Sequence, residues 1–265
     1  MIKIGMPTLI ELESLEDNIK LCKELGLDFI EINMNFPQYQ LEKLDGDYLK
    51  QLMDQHGLFF TFHLAEDIDV GHLNKRMRQA YVEEILDLLK LMDKIDSTVL
   101  NMHMSKGIFV TLPDKKVHIY EAYENDYLAN IQDFIKTVSE FKPNESIDIY
   151  VENTGIYDKN YIRKSVSKII TSPGFKLTWD IGHDHSSGHK DRDLLLANSH
   201  KIGHYHIHDA LGSKNHLTLY DGEIDIDGFL NRANNSNATV VFETKTIDAL
   251  TTSVKRFKEK WEKIS

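Results

Sequence analysis

Six short apolar runs in this 265-residue chain lead into residues able to bind a metal ion or move a proton. Phe60-Thr61-Phe62 is followed by His63, and Leu100-Asn101-Met102 by His103. Ile149-Tyr150-Val151 is followed by Glu152, and Thr178-Trp179 by Asp180, with His183 three residues on. Tyr205-His206-Ile207-His208 carries two imidazoles, and Val241-Phe242 closes on Glu243. A lone charge in apolar surroundings is costly unless it is paired or bound to metal. Converging carboxylates also repel one another, and a divalent cation removes both problems. Imidazole nitrogen together with carboxylate oxygen suits zinc, manganese, cobalt or iron better than calcium. Taken singly, His63 or His103 reads as a hydrogen-bonded core histidine and Asp180 as a helix cap. Glu152 and Glu243, each behind three apolar residues, resist such a reading. His206 and His208 are expected to diverge, one into the barrel and one into the helix layer. His56, His72, His118, His185, His189, His200 and His204 are expected on the surface or in loops.

The elements that must position these residues follow from an alternation along the chain. Eight short runs rich in Ile, Val, Phe and Leu read as buried parallel strands: Ile2–Met6, Leu27–Ile32, Leu58–Leu64, Thr98–Met104, Ile147–Val151, Lys176–Trp179, Ile202–Ile207 and Thr239–Phe242. Between them, apolar residues recur at helical spacing. The longest stripe is Leu73, Met77, Ala80, Tyr81, Ile85, Leu88, Leu89 and Met92. Ser14 and Asp45 read as N-caps, and Gly26 and Gly57 as left-handed helix ends. Eight strand–helix units predict an α/β fold, a (β/α)8 barrel forming a single domain over residues 1–265. The competing doubly wound sheet normally carries a glycine-rich first turn, whereas Pro7-Thr8-Leu9-Ile10 has no GxGxxG pattern. In a barrel the active site lies at the C-terminal strand ends, where the six candidates sit.

Composition narrows the function. Hydrophobic residues make up 41% and charged residues 28%, ordinary for a globular protein. There are 31 basic and 42 acidic residues, a net charge of −11, which argues against nucleic acid as partner. One cysteine, Cys22, rules out an internal disulfide framework and a zinc ribbon. No apolar run approaches a membrane span, and the first residues read as a strand rather than a signal peptide. The expectation is a soluble cytoplasmic protein without membrane partners. The loop 65–74 carries Glu66, Asp67 and Asp69, expected to repel phosphates.

Four segments in order resemble the xylose-isomerase-like superfamily of metal-dependent TIM barrels, which includes sugar (and sugar-phosphate) isomerases and epimerases and the endonuclease IV family. They are Trp179-Asp180-Ile181-Gly182-His183, His206-Ile207-His208-Asp209, His216-Leu217 ahead of Gly222-Glu223-Ile224-Asp225, and Phe242-Glu243. The resemblance covers nearly the whole chain. In the epimerase branch it implies one divalent ion held by Glu152, Asp180, His206 and Glu243. It further implies Glu152 and Glu243 as acid and base, and selects His206 as the inward imidazole. It assigns substrate contacts to His183 and places Asp158 where members often carry a second acidic residue. Gly212 stands where members often have an arginine. In the endonuclease IV branch, His63, His103 and Glu152 match a first metal site, and His183 and His216 match two ligands of a third. The remaining ligand position of that site is Lys214, whose ammonium cannot bind metal. The resemblance thus implies Zn, Mn or Co, one ion per chain, or two if His63 and His103 take part.

The expected function is a metal-dependent isomerase or epimerase of a small sugar or sugar phosphate. It would work through a metal-stabilised cis-enediolate, with Glu152 and Glu243 moving the proton and His183, His216 and Asp158 binding substrate. The connection 105–118 is a candidate lid, and Lys106 and Lys245 are candidate phosphate contacts. The alternative is an endonuclease IV-like phosphodiester hydrolase. A carbohydrate partner and a homo-oligomer accompany the first reading.

Overall fold

The computed structural model describes residues 2–261. Eight parallel strands close on themselves in chain order: β1 (Lys3–Pro7), β2 (Phe29–Asn33), β3 (Phe59–His63), β4 (Val99–His103), β5 (Asp148–Glu152), β6 (Phe175–Asp180), β7 (Ile202–Ile207) and β8 (Thr239–Phe242). β8 pairs back onto β1, with Thr239 opposite Lys3. Each strand falls on one of the eight apolar runs, so the chain folds as a single (β/α)8 barrel.

The helices longer than the single turn Ile119–Ala122 are α1 (Leu15–Glu24), α2 (Gly46–His56), α3 (Lys75–Lys94), α4 (Glu124–Phe141), α5 (Asn160–Ile170), α6 (Ile181–Ser186), α7 (Arg192–Ala197), α8 (Ile226–Asn235) and α9 (Ile247–Trp261). Their ends follow from local chemistry. Ser14 accepts a hydrogen bond from the Asp17 N–H, and the Asp45 carboxylate accepts from the Asp47 and Tyr48 N–H groups. Gly57 ends α2 at φ 60°, a conformation open to glycine at little cost. The long apolar stripe is buried only along the second half of α3, at Ile85, Leu88, Leu89 and Met92. Leu73 precedes the helix, and Met77 is 47% exposed.

Two antiparallel hairpins decorate the mouth. One pairs 109–111 with 116–118 inside the connection expected to act as a lid. It exposes Ile108, Phe109, Val110 and Leu112. The other pairs 209–211 with 214–217 just after β7.

Strand register decides what meets at the mouth. His103 lies opposite Glu152, Asp180 opposite His206, and Val241 opposite His206. Side chains alternate along a strand, so residues two apart share a face. Two positions below the tip residues come Thr61, Asn101, Thr178 and His204, all 0–1% exposed. Glu31 of β2 joins this layer through a hydrogen bond from His204. The barrel interior beneath the site is therefore a connected polar layer. Thr178 donates to Asn101, which donates to Glu152. Below it, aromatic rings take over, with Phe29 stacked on Phe59 at 4.8 Å.

Candidate metal centre

Glu152, Asp180, His206 and Glu243 come from the ends of β5, β6, β7 and β8. Each offers one ligand atom, and these four atoms lie within 4.8 Å of one another. All four residues are buried, none more than 6% exposed. His206 Nδ1 lies 3.2 Å from Glu152 Oε2 and 3.4 Å from Glu243 Oε2. Asp180 caps α6, accepting the His183 N–H at 2.6 Å, and its second oxygen lies 3.2 Å from His183 Nδ1. Both readings of Asp180, as a cap and as a ligand candidate, thus hold at once.

The residues fit a cation. Among the described residues, Glu152 Oε1, Glu243 Oε2 and His206 Nδ1 are buried and have no hydrogen-bond partner. Such orphaned acceptors are costly and rare in folded proteins. Three carboxylates and one imidazole form a donor set suited to a divalent first-row ion or zinc. Without a cation, protons supply the missing charge. Burial opposes ionisation of Glu152, yet His206 and His103 hold it well below the usual carboxylate range. Burial likewise opposes protonation of His206, yet Glu152 and Glu31 push its pKa well above the ordinary value. For His183, burial is outweighed by Asp180 and Glu152, which raise it to about 10.

His63 and His103 join the same centre. Their Nε2 atoms lie 3.4 and 3.2 Å from Glu152 Oε2, and their rings meet edge-on at 4.8 Å. His63 Nδ1 faces the Leu64 carbonyl at 2.7 Å and donates to it, which turns Nε2 toward Glu152. A histidine so oriented is poised for ligation. His183, His208 and His216 form a second imidazole group, with ligand atoms within 4.8 Å. His216 Nδ1 faces the Glu243 carbonyl at 3.2 Å. Burial and His208 lower the His216 pKa to about 4, which keeps its ring neutral.

Three placements differ from expectation. His208 does not enter the helix layer. Positions 206 and 208 are two apart and share a face, so both rings serve the mouth. His208 Nε2 donates to Asp180 at 3.1 Å, and its Nδ1 accepts the His216 N–H at 2.8 Å. Its ring also lies over Gly182, where a Cβ would fall 1.9 Å from His208 Cε1. His204 is not a surface residue. It is fully buried inside the barrel, again by the period of two. Asp69, in the acidic loop, turns inward and is 7% exposed. It accepts from the Gly71 N–H and the Tyr120 hydroxyl, so it does not add to the charge facing solvent.

Asp158 stands apart: its side chain is 43% exposed, with Lys190 as ion-pair partner at 3.9 Å. Sequence reasoning passed over Glu31, Asn101 and the Lys245–Glu243 ion pair at 2.5 Å. The available signal was the polar residue two before each tip, at Asn101 before His103 and His204 before His206. Beside the centre, an open cleft of about 310 Å³ is lined by Thr8, Asn33, Asn35, Glu66 and Lys245 among others.

Comparison with known proteins agrees with this architecture. The chain is 29% identical over 253 residues to an uncharacterized protein of Methanocaldococcus jannaschii, MJ1614, spanning 94% of this chain and 91% of that protein. It superposes on a D-tagatose 3-epimerase-like protein with a TM-score of 0.78 at 21% identity, covering 99% of this chain and 98% of that one. It also superposes on the IOLI protein, solved with a bound zinc atom, with a TM-score of 0.72 at 16% identity over 97% of both chains. At these identities the two structures establish the fold. The family described as the xylose isomerase-like TIM barrel matches residues 19–260. The chain belongs to the xylose isomerase-like TIM barrel family.

Proposed function

We propose that this chain is a metal-dependent isomerase or epimerase of a small sugar or sugar phosphate. One observation carries the reading: Glu152 and Glu243, on strands three apart, each keep a buried oxygen with no hydrogen-bond partner beside one shared ligand centre. A divalent cation bound by Glu152, Asp180, His206 and Glu243 would polarise a carbonyl and its neighbouring hydroxyl, acidifying the C–H between them.

The chain's own residues do the rest. One of the two glutamates takes the proton from carbon and the other, or the same one, returns it. Asn101 holds the Glu152 carboxylate by its Oε2, which leaves Oε1 facing His183 Nδ1 at 3.4 Å. Lys245 pairs with Glu243 Oε1 and keeps that carboxylate ionised, leaving Oε2 toward the centre. His183 and His216 edge the same space and supply N–H groups or lone pairs to substrate oxygens. The amide and hydroxyl groups of Thr8, Asn33 and Asn35 suit the hydroxyls of a polyol arm. Among the relatives by fold, the D-tagatose 3-epimerase-like protein and the zinc-bearing IOLI protein accord with this reading.

A phosphodiester hydrolase is the competing reading, favoured by His63 and His103 beside Glu152. The net charge of −11 speaks against a nucleic-acid substrate. The test incubates protein loaded with zinc, manganese or cobalt in D2O with a panel of ketoses and their phosphates. Nicking of DNA containing an abasic site is assayed alongside. Solvent deuterium entering a sugar without DNA cleavage is the expected result. Cleavage without exchange selects the hydrolase, and neither activity overturns both.

A further inference from the structure

Beneath the centre lies a buried carboxylate that the proton chemistry does not use. Glu31, in the middle of β2, is 1% exposed. Its Oε1 lies 2.9 Å from His206 Nε2, and its Oε2 accepts from His204 Nε2 at 3.1 Å. His204 Nδ1 in turn meets the Thr239 hydroxyl at 2.6 Å. We propose that Glu31 is a positioning residue that fixes the tautomer of His206, so that the bare Nδ1 is presented to the cation, with His204 and Thr239 holding Glu31 in place. The proposal rests on the metal-centre reading given above.

An ionised carboxylate only accepts, so an imidazole nitrogen facing it must carry a proton unless a cation lies between the two. A neutral imidazole has one such proton. With it on Nε2, the Nδ1 lone pair of His206 is free, and that atom faces Glu152 Oε2 and Glu243 Oε2. The opposite tautomer would set an unprotonated Nε2 against the Glu31 carboxylate and close Nδ1 to a cation. A carboxylate behind a ligating histidine also raises its basicity, and losing such a partner typically costs about 10–100-fold in metal affinity. His204 makes the arrangement specific, because it occupies the second oxygen of Glu31 and stops the carboxylate rotating. The link spans the barrel from β2 to β7 and on to β8. It belongs to the interior rather than to the substrate face, so its effect falls on the ion.

The test measures zinc affinity by chelator competition in wild type, Glu31→Gln and His204→Asn. The histidine tautomers are read by ¹⁵N NMR of the zinc-loaded protein. Gln keeps the shape but offers one acceptor and one donor in place of two acceptors. The expected result is a wild type with zinc on His206 Nδ1 and a proton on Nε2. Glu31→Gln should bind zinc about 10–100-fold more weakly, and His204→Asn should show a smaller loss in the same direction. Thermal unfolding of the metal-free proteins checks that both variants fold; should Glu31→Gln fail to fold, His204→Asn and the wild-type tautomer decide. Unchanged affinity in both folded variants, or a wild-type His206 protonated on Nδ1, overturns the role of Glu31 alone. A wild type that takes up no zinc overturns the metal centre and this role with it.

Discussion

Glu31 and Glu152 are both buried carboxylates, each 1% exposed, a few ångströms from the same imidazole. Their surroundings are opposite in kind. Glu31 has an imidazole nitrogen close to each oxygen, at 2.9 and 3.1 Å. Glu152 has Asn101 and three imidazoles crowded on one oxygen and leaves the other without a hydrogen-bond partner, its nearest neighbour being His183 Nδ1 at 3.4 Å. The same contrast separates the two layers of the barrel. Below, Thr178, Asn101, His204 and Thr239 hold one another and Glu31 through hydrogen bonds, Thr61 Oγ1 excepted. Above, acceptors converge without enough donors, an arrangement that a bound ion would complete. A buried charge by itself is therefore not a sign of a functional site; an unmatched one is.

The largest expected effects come from breaking the upper layer. Glu152→Gln or Glu243→Gln should lower turnover about 10²–10⁴-fold, while circular dichroism shows a folded barrel. Full activity in either variant would remove the acid–base assignment. Breaking the lower layer should instead show in stability. Glu31→Leu leaves His204 and His206 without their shared partner and is expected to cost about 3–5 kcal/mol in denaturant unfolding of the metal-free protein. A loss below about 1 kcal/mol would mean that the two imidazoles do not depend on Glu31.

A third test uses the neutral imidazole at the rim. His216 is held at about 4 by burial and His208, below its usual 6.5. Between those values the unfolded chain binds the proton and the folded one does not. Stability from this residue is therefore complete above pH 6.5 and is lost as pH falls toward 4, by at most about 3 kcal/mol. In the metal-free protein His216→Asn should flatten the acid limb of the stability profile; an unchanged limb would place the titration elsewhere. The smallest effect lies far from the site. Asp45→Ala removes the acceptor for the Asp47 and Tyr48 N–H groups and should cost about 1 kcal/mol.

Much of the upper layer was legible in the sequence because tip residues interrupt apolar runs. Glu152, Asp180 and Glu243 stand out in that way, His206 was selected over His208 by the family resemblance, and the barrel follows from eight such runs. The lower layer was not. Glu31 and His204 lie inside runs that otherwise look like uniformly buried strands, and each becomes intelligible only when paired with a residue on a distant strand. Glu31 and His204 are 173 positions apart in the chain. His208 shows a different failure: the strand period of two, applied with the correct parity, places it on the same face as His206 and His204. Asp69 was misjudged because acidic loop residues normally face water, whereas here the Tyr120 hydroxyl and the Gly71 N–H draw it inward.

The most direct test of the account is the metal content of the purified protein after exhaustive dialysis against each divalent ion, beside Asp180→Ala and His206→Ala. The account predicts one tightly held ion per chain in the wild type, lost in both variants. A wild type that retains none, or variants that retain as much as the wild type, would contradict it.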